Sequence, residues 1–265
     1  MTGTVPAASI LCMAISGVIG FAIPVVLFFY VRKKKKADIL PFFVGCAVML
    51  VFALVLEAAV HRSVFSSPAG ETIQNTTWLY ALYGGVMAGL FEETGRFVAF
   101  KTVLKKKQGK DSNALMYGAG HGGFEAAVLL GITMINNIIW SVLINSGSAA
   151  MLTGSVPESL KGQVEETMQQ LISTSPGTFL LGGIERIFAV TLQIALSVLV
   201  WFAAKNKKRL YLYPAAILIH FGMDAGVVLL QGAEVPAIAL EGIVGAVSVA
   251  AAFAARAVWK KEKGT

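Results

Sequence analysis

The stretch "HGGFE", residues 121 to 125, sets a histidine and a glutamate four apart inside an apolar run that reaches from "NALMYGAG" to "AAVLLGITM". Residues four apart share one face of a helix. The same spacing recurs in "HFGMD", where Asp224 follows His220 by four, and in "EETGR", where Arg96 follows Glu92 by four and Glu93 stands between them. An arginine so placed can hold Glu92 by a charge-assisted hydrogen bond while Glu93 is angled differently. Two imidazoles with several carboxylates are the ligand chemistry of zinc: neutral nitrogens, an oxygen ligand and an open position for water. A nearby glutamate can then take the proton from that water. A single buried histidine is more often a hydrogen-bonded core residue, but two histidines, each with a carboxylate four residues on, favour a site.

These residues must be held by elements that lie in hydrocarbon. The chain is 56% hydrophobic and only 14% charged, with a mean hydropathy of +0.71, well outside the composition of a soluble domain. Apolar runs long enough to cross a bilayer fall at about 8–31, 39–60, 77–104, 113–145, 177–204, 210–231 and 235–258. The expectation is an all-α, polytopic membrane bundle of about seven transmembrane helices forming a single integral domain over residues 1–265, with no removable signal peptide at its start.

Inside those runs lie Glu57, Glu92, Glu93, Glu125, Glu185, Asp224 and Glu241, with Arg96, Arg186, His121 and His220. Each costs several kcal/mol if left alone in hydrocarbon, so they must face one another or water. At 1.5 Å of rise per residue from the basic helix ends, His121 lies roughly 14 Å deep, His220 roughly 15 Å, Glu92 and Glu93 roughly 17 Å, and Glu125 and Asp224 roughly 20 Å. Three helices thus bring their polar residues to one level, which points to one cluster. Glu185 and Arg186 sit roughly 29 Å from Lys205 and read as a mutual pair or a substrate-gate element. Glu57 and Glu241 read as interfacial or packing residues.

The net charge of +7 is concentrated in "RKKKK" from Arg32, "KTVLKKKQGK" from Lys101, "KNKKR" from Lys205 and "RAVWKKEK" from Arg256, which together hold 18 of the 22 Lys and Arg. All four fall on one side of a seven-helix threading. The positive-inside rule makes that side cytoplasmic, with the N-terminus outside and the C-terminus inside. Nucleic acid is not the partner this pattern implies. Cys12 and Cys46, the two cysteines, form neither a disulfide framework nor a CxxC metal site. "GAGHGG" satisfies GxGxxG but opens no βαβ unit, so its glycines read as places where another helix approaches closely. The segment "VPESLKGQVEETMQQLIS", in the longest external loop, has apolar residues at helical spacing and reads as a short helix on the outer surface.

With "EETGR", "YGAGHGGFE" and "HFGMD" in place, the chain resembles the bacterial YhfC family of predicted intramembrane metalloproteases, a branch of the wider group of CAAX prenyl proteases, bacteriocin-processing (CPBP) proteins and PrsW. The resemblance implies that Glu92 is the catalytic base supported by Glu93 and Arg96, that Tyr117 to His121 is an aromatic-xxx-His motif with His121 as a ligand, and that His220 and Asp224 form the final His-xxx-Asn/Asp motif. Arg96 follows Glu93 by three, where the prenyl-protease pattern usually has one more residue. Glu125 has no equivalent in that pattern and is similar to the PrsW type, leaving the division of base and ligand between Glu92 and Glu93 open.

The expected function is a zinc-dependent endopeptidase in the bacterial plasma membrane acting on a membrane protein or peptide, with His121, Glu125, His220 and Asp224 as the metal set. A proton- or cation-coupled transporter is the main rival, because buried carboxylates and histidines also build proton relays. A noncatalytic receptor or immunity protein is a third. The threading predicts that cysteines placed at Lys34 and Lys261 escape a membrane-impermeant maleimide applied to intact cells; strong labelling at either would overturn it.

Overall fold

The computed structural model describes residues 3–154 and 156–263; Met1, Thr2, Ser155, Gly264 and Thr265 of the expected 1–265 domain lie outside them. Regular structure among the described residues is helical throughout. The helices are α1 (Ala7–Lys34), α2 (Leu40–Val48), α3 (Ala58–Phe65), α4 (Pro68–Gln74), α5 (Thr77–Lys101), α6 (Ser112–Ala126), α7 (Thr133–Asn145), α8 (Ala150–Gly154), α9 (Glu158–Ser173), α10 (Pro176–Lys205), α11 (Leu212–Gly232) and α12 (Ala237–Lys263). A π-helical stretch, Met49–Glu57, joins α2 to α3, and another, Ala127–Ile132, joins α6 to α7.

Among the described residues six helical segments are long and apolar enough to cross a membrane: Ala7–Lys34, Leu40–Phe65, Ser112–Asn145, Pro176–Lys205, Lys207–Gly232 and Ala237–Glu262. The protein is a multi-pass helical membrane bundle. The remaining expected span, α5, is a 25-residue helix of sufficient length, but Glu92, Glu93 and Arg96 in its second half lower its apolarity. The residues that make α5 chemically interesting are the ones that weaken its membrane signal.

The chain divides into two compact units, residues 1–23 with 126–186 and residues 24–125 with 187–265. In the first, Val5, Met13, Leu130, Met134, Ile144, Met168, Leu171 and Phe179 form the core. Asn145 clamps the Val5 backbone, accepting from its N–H at 2.7 Å and donating to its carbonyl at 2.9 Å. The segment read as a surface helix is α9, which buries Val164, Met168 and Leu171 and leaves its charged residues outward.

The second unit is built around the end of α10. Every residue from Ala195 to Ala204 is buried, which explains why this stretch is apolar on all sides. Phe100, Tyr117, Leu196, Trp201 and Phe202 dominate the surrounding core, and α5 packs most extensively on α11. The basic segments meet at one end of this unit. Asp38 pairs with Lys110 at 2.8 Å and Lys107 at 3.5 Å, Asp111 with Lys205 at 2.7 Å, and Arg209 with Glu262 at 2.6 Å. The hydrogen bonds from Lys110 and Asn113 hold the Asp38 carboxyl below its usual range, so its contribution to stability is present above that usual value and is lost as pH falls through the lowered one.

Helix α6 is approached closely by α2, as its glycines suggested. A Cβ on Gly120 would stand 2.0 Å from the Phe42 carbonyl oxygen, and one on Gly45 would stand 2.3 Å from the Tyr117 carbonyl oxygen. Backbone against backbone cannot yield as a side-chain tip can. Gly120→Ala is therefore expected to destabilise the protein by at least about 1–3 kcal/mol. By contrast Gly84→Ala, which meets nothing within 4 Å, should change stability by no more than about 1 kcal/mol. Thermal unfolding of the detergent-solubilised variants measures both.

Candidate active site

Helices α5, α6, α10 and α11 bring one connected set of polar side chains together in the second unit. Arg96 of α5 has no exposed surface. Its Nη1 stands 3.2 Å from Glu93 Oε2, and its Nη2 donates to Gln193 Oε1 at 2.5 Å. A buried guanidinium stays charged, so it must be both paired and hydrogen-bonded. Spacing alone matched it to Glu92; in the structure its carboxylate is Glu93, three residues earlier, and the four-residue pairing is not made.

That choice releases Glu92. Its Oε2 faces His121 Nε2 at 2.8 Å and accepts from Gln193 Nε2 at 2.9 Å, while its Oε1 lies 4.0 Å from His220 Nε2. Both histidines therefore stand against one carboxylate. Glu93 Oε1 accepts from His220 Nδ1 at 2.9 Å, and the other ring nitrogen, Nε2, faces Glu92 and Asp224 Oδ2, the latter at 3.7 Å. Carboxylate-oriented imidazoles of this kind are the usual support of a metal-ligating histidine. His121 lies over the ring of Tyr117, centroids 5.8 Å apart, and its Nδ1 is buried with no hydrogen-bond partner among the described residues. Glu125 does not pair with His121 as its spacing suggested; it accepts from Gln193 Nε2 at 2.9 Å.

All seven expected site residues, Glu92, Glu93, Arg96, His121, Glu125, His220 and Asp224, belong to this set. Among the described residues no three His, Cys, Asp or Glu side chains form a ready-made metal cage. The donor chemistry nonetheless fits a metal: His121 and His220 each turn one nitrogen toward Glu92, at 2.8 and 4.0 Å, and Glu93 supports His220 from its other nitrogen. Glu185 and Arg186, in the first unit, bind each other, Arg186 Nε donating to Glu185 Oε2 at 2.5 Å and Nη2 to Oε1.

Residues 19–244 match the family described as YhfC intramembrane metalloprotease. The chain belongs to that family. It is also 36% identical over 225 residues to the uncharacterized membrane protein YhfC of Bacillus subtilis (strain 168), a match covering 84% of this chain and 85% of that one. No solved structure matches it. The YhfC motifs quoted above, on α5, α6 and α11, all lie within the matched span.

Two groups escaped the sequence reading. Gln193 touches Arg96, Glu92 and Glu125 at once; its signal was an amide within "AVTLQIALSVLV", with Ser197 one turn later donating to its carbonyl at 2.7 Å. Glu57 binds His61 Nε2 at 3.1 Å, and His61 Nδ1 meets the Tyr83 hydroxyl at 2.9 Å. Glu57 and His61 are four apart, the same spacing that marked the other histidines. Gln193→Leu keeps roughly the volume but takes one hydrogen bond each from the guanidinium and two carboxylates, and is expected to cost at least about 1.5–3 kcal/mol. Ser197→Ala removes one neutral donor and should cost about 0.5–1.5 kcal/mol; equal melting temperatures for the two variants would deny Gln193 its central place.

Proposed function

We propose that this YhfC-family protein is a zinc-dependent endopeptidase that cleaves a membrane-associated protein or peptide, with Glu92 as general base. The observation that carries the proposal is the placement of Glu92 between His121 and His220 with Glu93 and Arg96 behind it. His121, His220 and Asp224, with Glu125 nearby, are the residues that would hold the ion. When bound, zinc would polarise the scissile carbonyl and acidify water.

Each remaining task falls to a side chain of this protein. Glu92 accepts the proton of the attacking water and passes it to the leaving amine nitrogen as the C–N bond breaks. Glu93 orients His220 by accepting a hydrogen bond from its Nδ1, and Arg96 holds Glu93 in place for that purpose. Gln193 restrains the Glu92 carboxylate through its amide N–H. Glu93 has no exposed surface, whereas Glu92 is 7% exposed, which supports Glu92 as the group that reaches water. With the basic helix ends cytoplasmic, peptide bonds would be cleaved roughly 14–20 Å from that side, as counted along the helices.

Glu92→Gln preserves size and hydrogen bonding but cannot take the proton. It is expected to retain zinc and the melting temperature of the parent while peptide cleavage falls by about 10² or more. His121→Ala and His220→Ala should lose zinc and cleavage together. Metal analysis and cleavage of a reconstituted membrane substrate test the set. Undiminished cleavage by Glu92→Gln with none by Glu93→Gln would reverse the two roles, and an absence of zinc from active protein would sink the metalloprotease reading.

A further inference from the structure

A cavity of about 850 Å3 opens at the basic end of the second unit, and no residue of the polar cluster lines it. Its rim and its wall differ in character. The rim carries Lys35, Lys110, Arg256 and Ser112; the wall is made by Leu115 of α6, Ile194 and Val198 of α10, and Ala252, Ala255 and Trp259 of α12. The volume lies within the range of small-molecule sites. Apolar wall below a cationic rim is the complement of an amphiphile with a negative head.

The rim charges are not equivalent. Lys110 is held by Asp38 at 2.8 Å. Asp111, also on the rim, is satisfied by Lys205 at 2.7 Å and by Trp201 Nε1 at 3.0 Å. Lys35 and Arg256 are exposed and have no acidic partner among the described residues. Ser112 Oγ is buried and makes no hydrogen bond among the described residues. Two uncommitted cations and one uncommitted hydroxyl therefore border the opening, at helix ends where a headgroup layer lies and where basic pockets between helices take anionic lipid heads.

We propose that this cavity is a binding site for one anionic phospholipid, its phosphate held by Lys35, Arg256 and Ser112 and an acyl chain lying along α10 and α12. A free phosphate would use the rim and leave the wall wet, so the apolar half argues for a lipid. The site is separate from the proposed catalytic cluster and its test does not depend on cleavage.

Full-length protein in neutral detergent, offered an equimolar mixture of phosphatidylglycerol and phosphatidylcholine, is examined by native mass spectrometry. One phosphatidylglycerol should be retained with a preference of about tenfold to thirtyfold, from two added cations. The pair Lys35→Gln with Arg256→Gln should bring that preference close to one, while Lys208→Gln, an exposed cation outside the cavity, leaves it intact. Ala252→Phe fills the wall, keeps both charges, and should lower retention of both lipids. An undiminished preference in the double variant would overturn the proposal. So would full displacement of the lipid by inorganic phosphate, or unchanged retention in a folded Ala252→Phe protein; if that variant does not fold, the charge pair decides.

Discussion

A guanidinium with no exposed surface, at the level where the surrounding helices are hydrocarbon-facing, sets the conditions for the rest of the second unit. Arg96 cannot give up its proton, so it requires an anion and an acceptor. Glu93 provides the anion and Gln193 Oε1 the acceptor. Those two commitments propagate. With one oxygen of Glu93 turned to the arginine, the other is left for His220 Nδ1. With the carbonyl of the Gln193 amide turned to the arginine, its Nε2 must point the other way, and it donates to Glu92 and Glu125. The orientation of one histidine ring and of two carboxylates thus follows from one buried cation.

Such a network demands that four helices approach more closely than ordinary side chains allow. A Cβ on Gly122 would stand 2.8 Å from Gln193 Cβ, and Cβ atoms on Gly85 and Gly89 would stand 2.7 Å and 2.9 Å from the carbonyl oxygens of Phe221 and Ile217. These contacts bring α6 to α10 and α5 to α11, the two pairings that carry Glu125 to Gln193 and Glu93 to His220. Membrane helices gain little from a hydrophobic drive to associate, so close packing and interhelical hydrogen bonds take its place. The glycines and the polar residues are in this sense one device.

The sequence made the membrane class, the helices and the membership of the cluster legible, because carboxylates and histidines in apolar runs are costly and few. It did not reveal who pairs with whom. The spacing of four offered Glu92 to Arg96 and Glu125 to His121, yet both offers lost to partners on other helices or to the residue three positions back. Side chains on one face of a helix compete with whatever the neighbouring helix presents, and that is a matter of packing. Gln193 was overlooked because an uncharged amide does not register in a search for charge, although a buried primary amide needs as many partners. Glu57 was set aside although His61 stood one turn away. The count of spanning helices shows the same conflict from the other side: the charges that α5 brings to the polar cluster lower the apolarity by which a spanning helix is recognised.

The two adjacent glutamates of "EETGR" illustrate how identical chemistry is divided by position. Glu93 is sealed at 0% exposure between a cation and an imidazole, and a carboxylate so enclosed can neither meet water nor move without stranding Arg96. Glu92 lies 7% exposed, its Oε2 held by His121 and the Gln193 amide; farther along, past His220 Nε2, the Asp224 side chain is 40% exposed. Accessibility is therefore nil at Arg96 and Glu93 and rises through Glu92 to Asp224. A reaction that consumes water must take place toward the open end of that series, and the closed end is free to be rigid. On the proposed reading, the doubled glutamate divides two tasks: one carboxylate neutralises the buried cation, and the other, not paired with it, is the one placed to exchange protons.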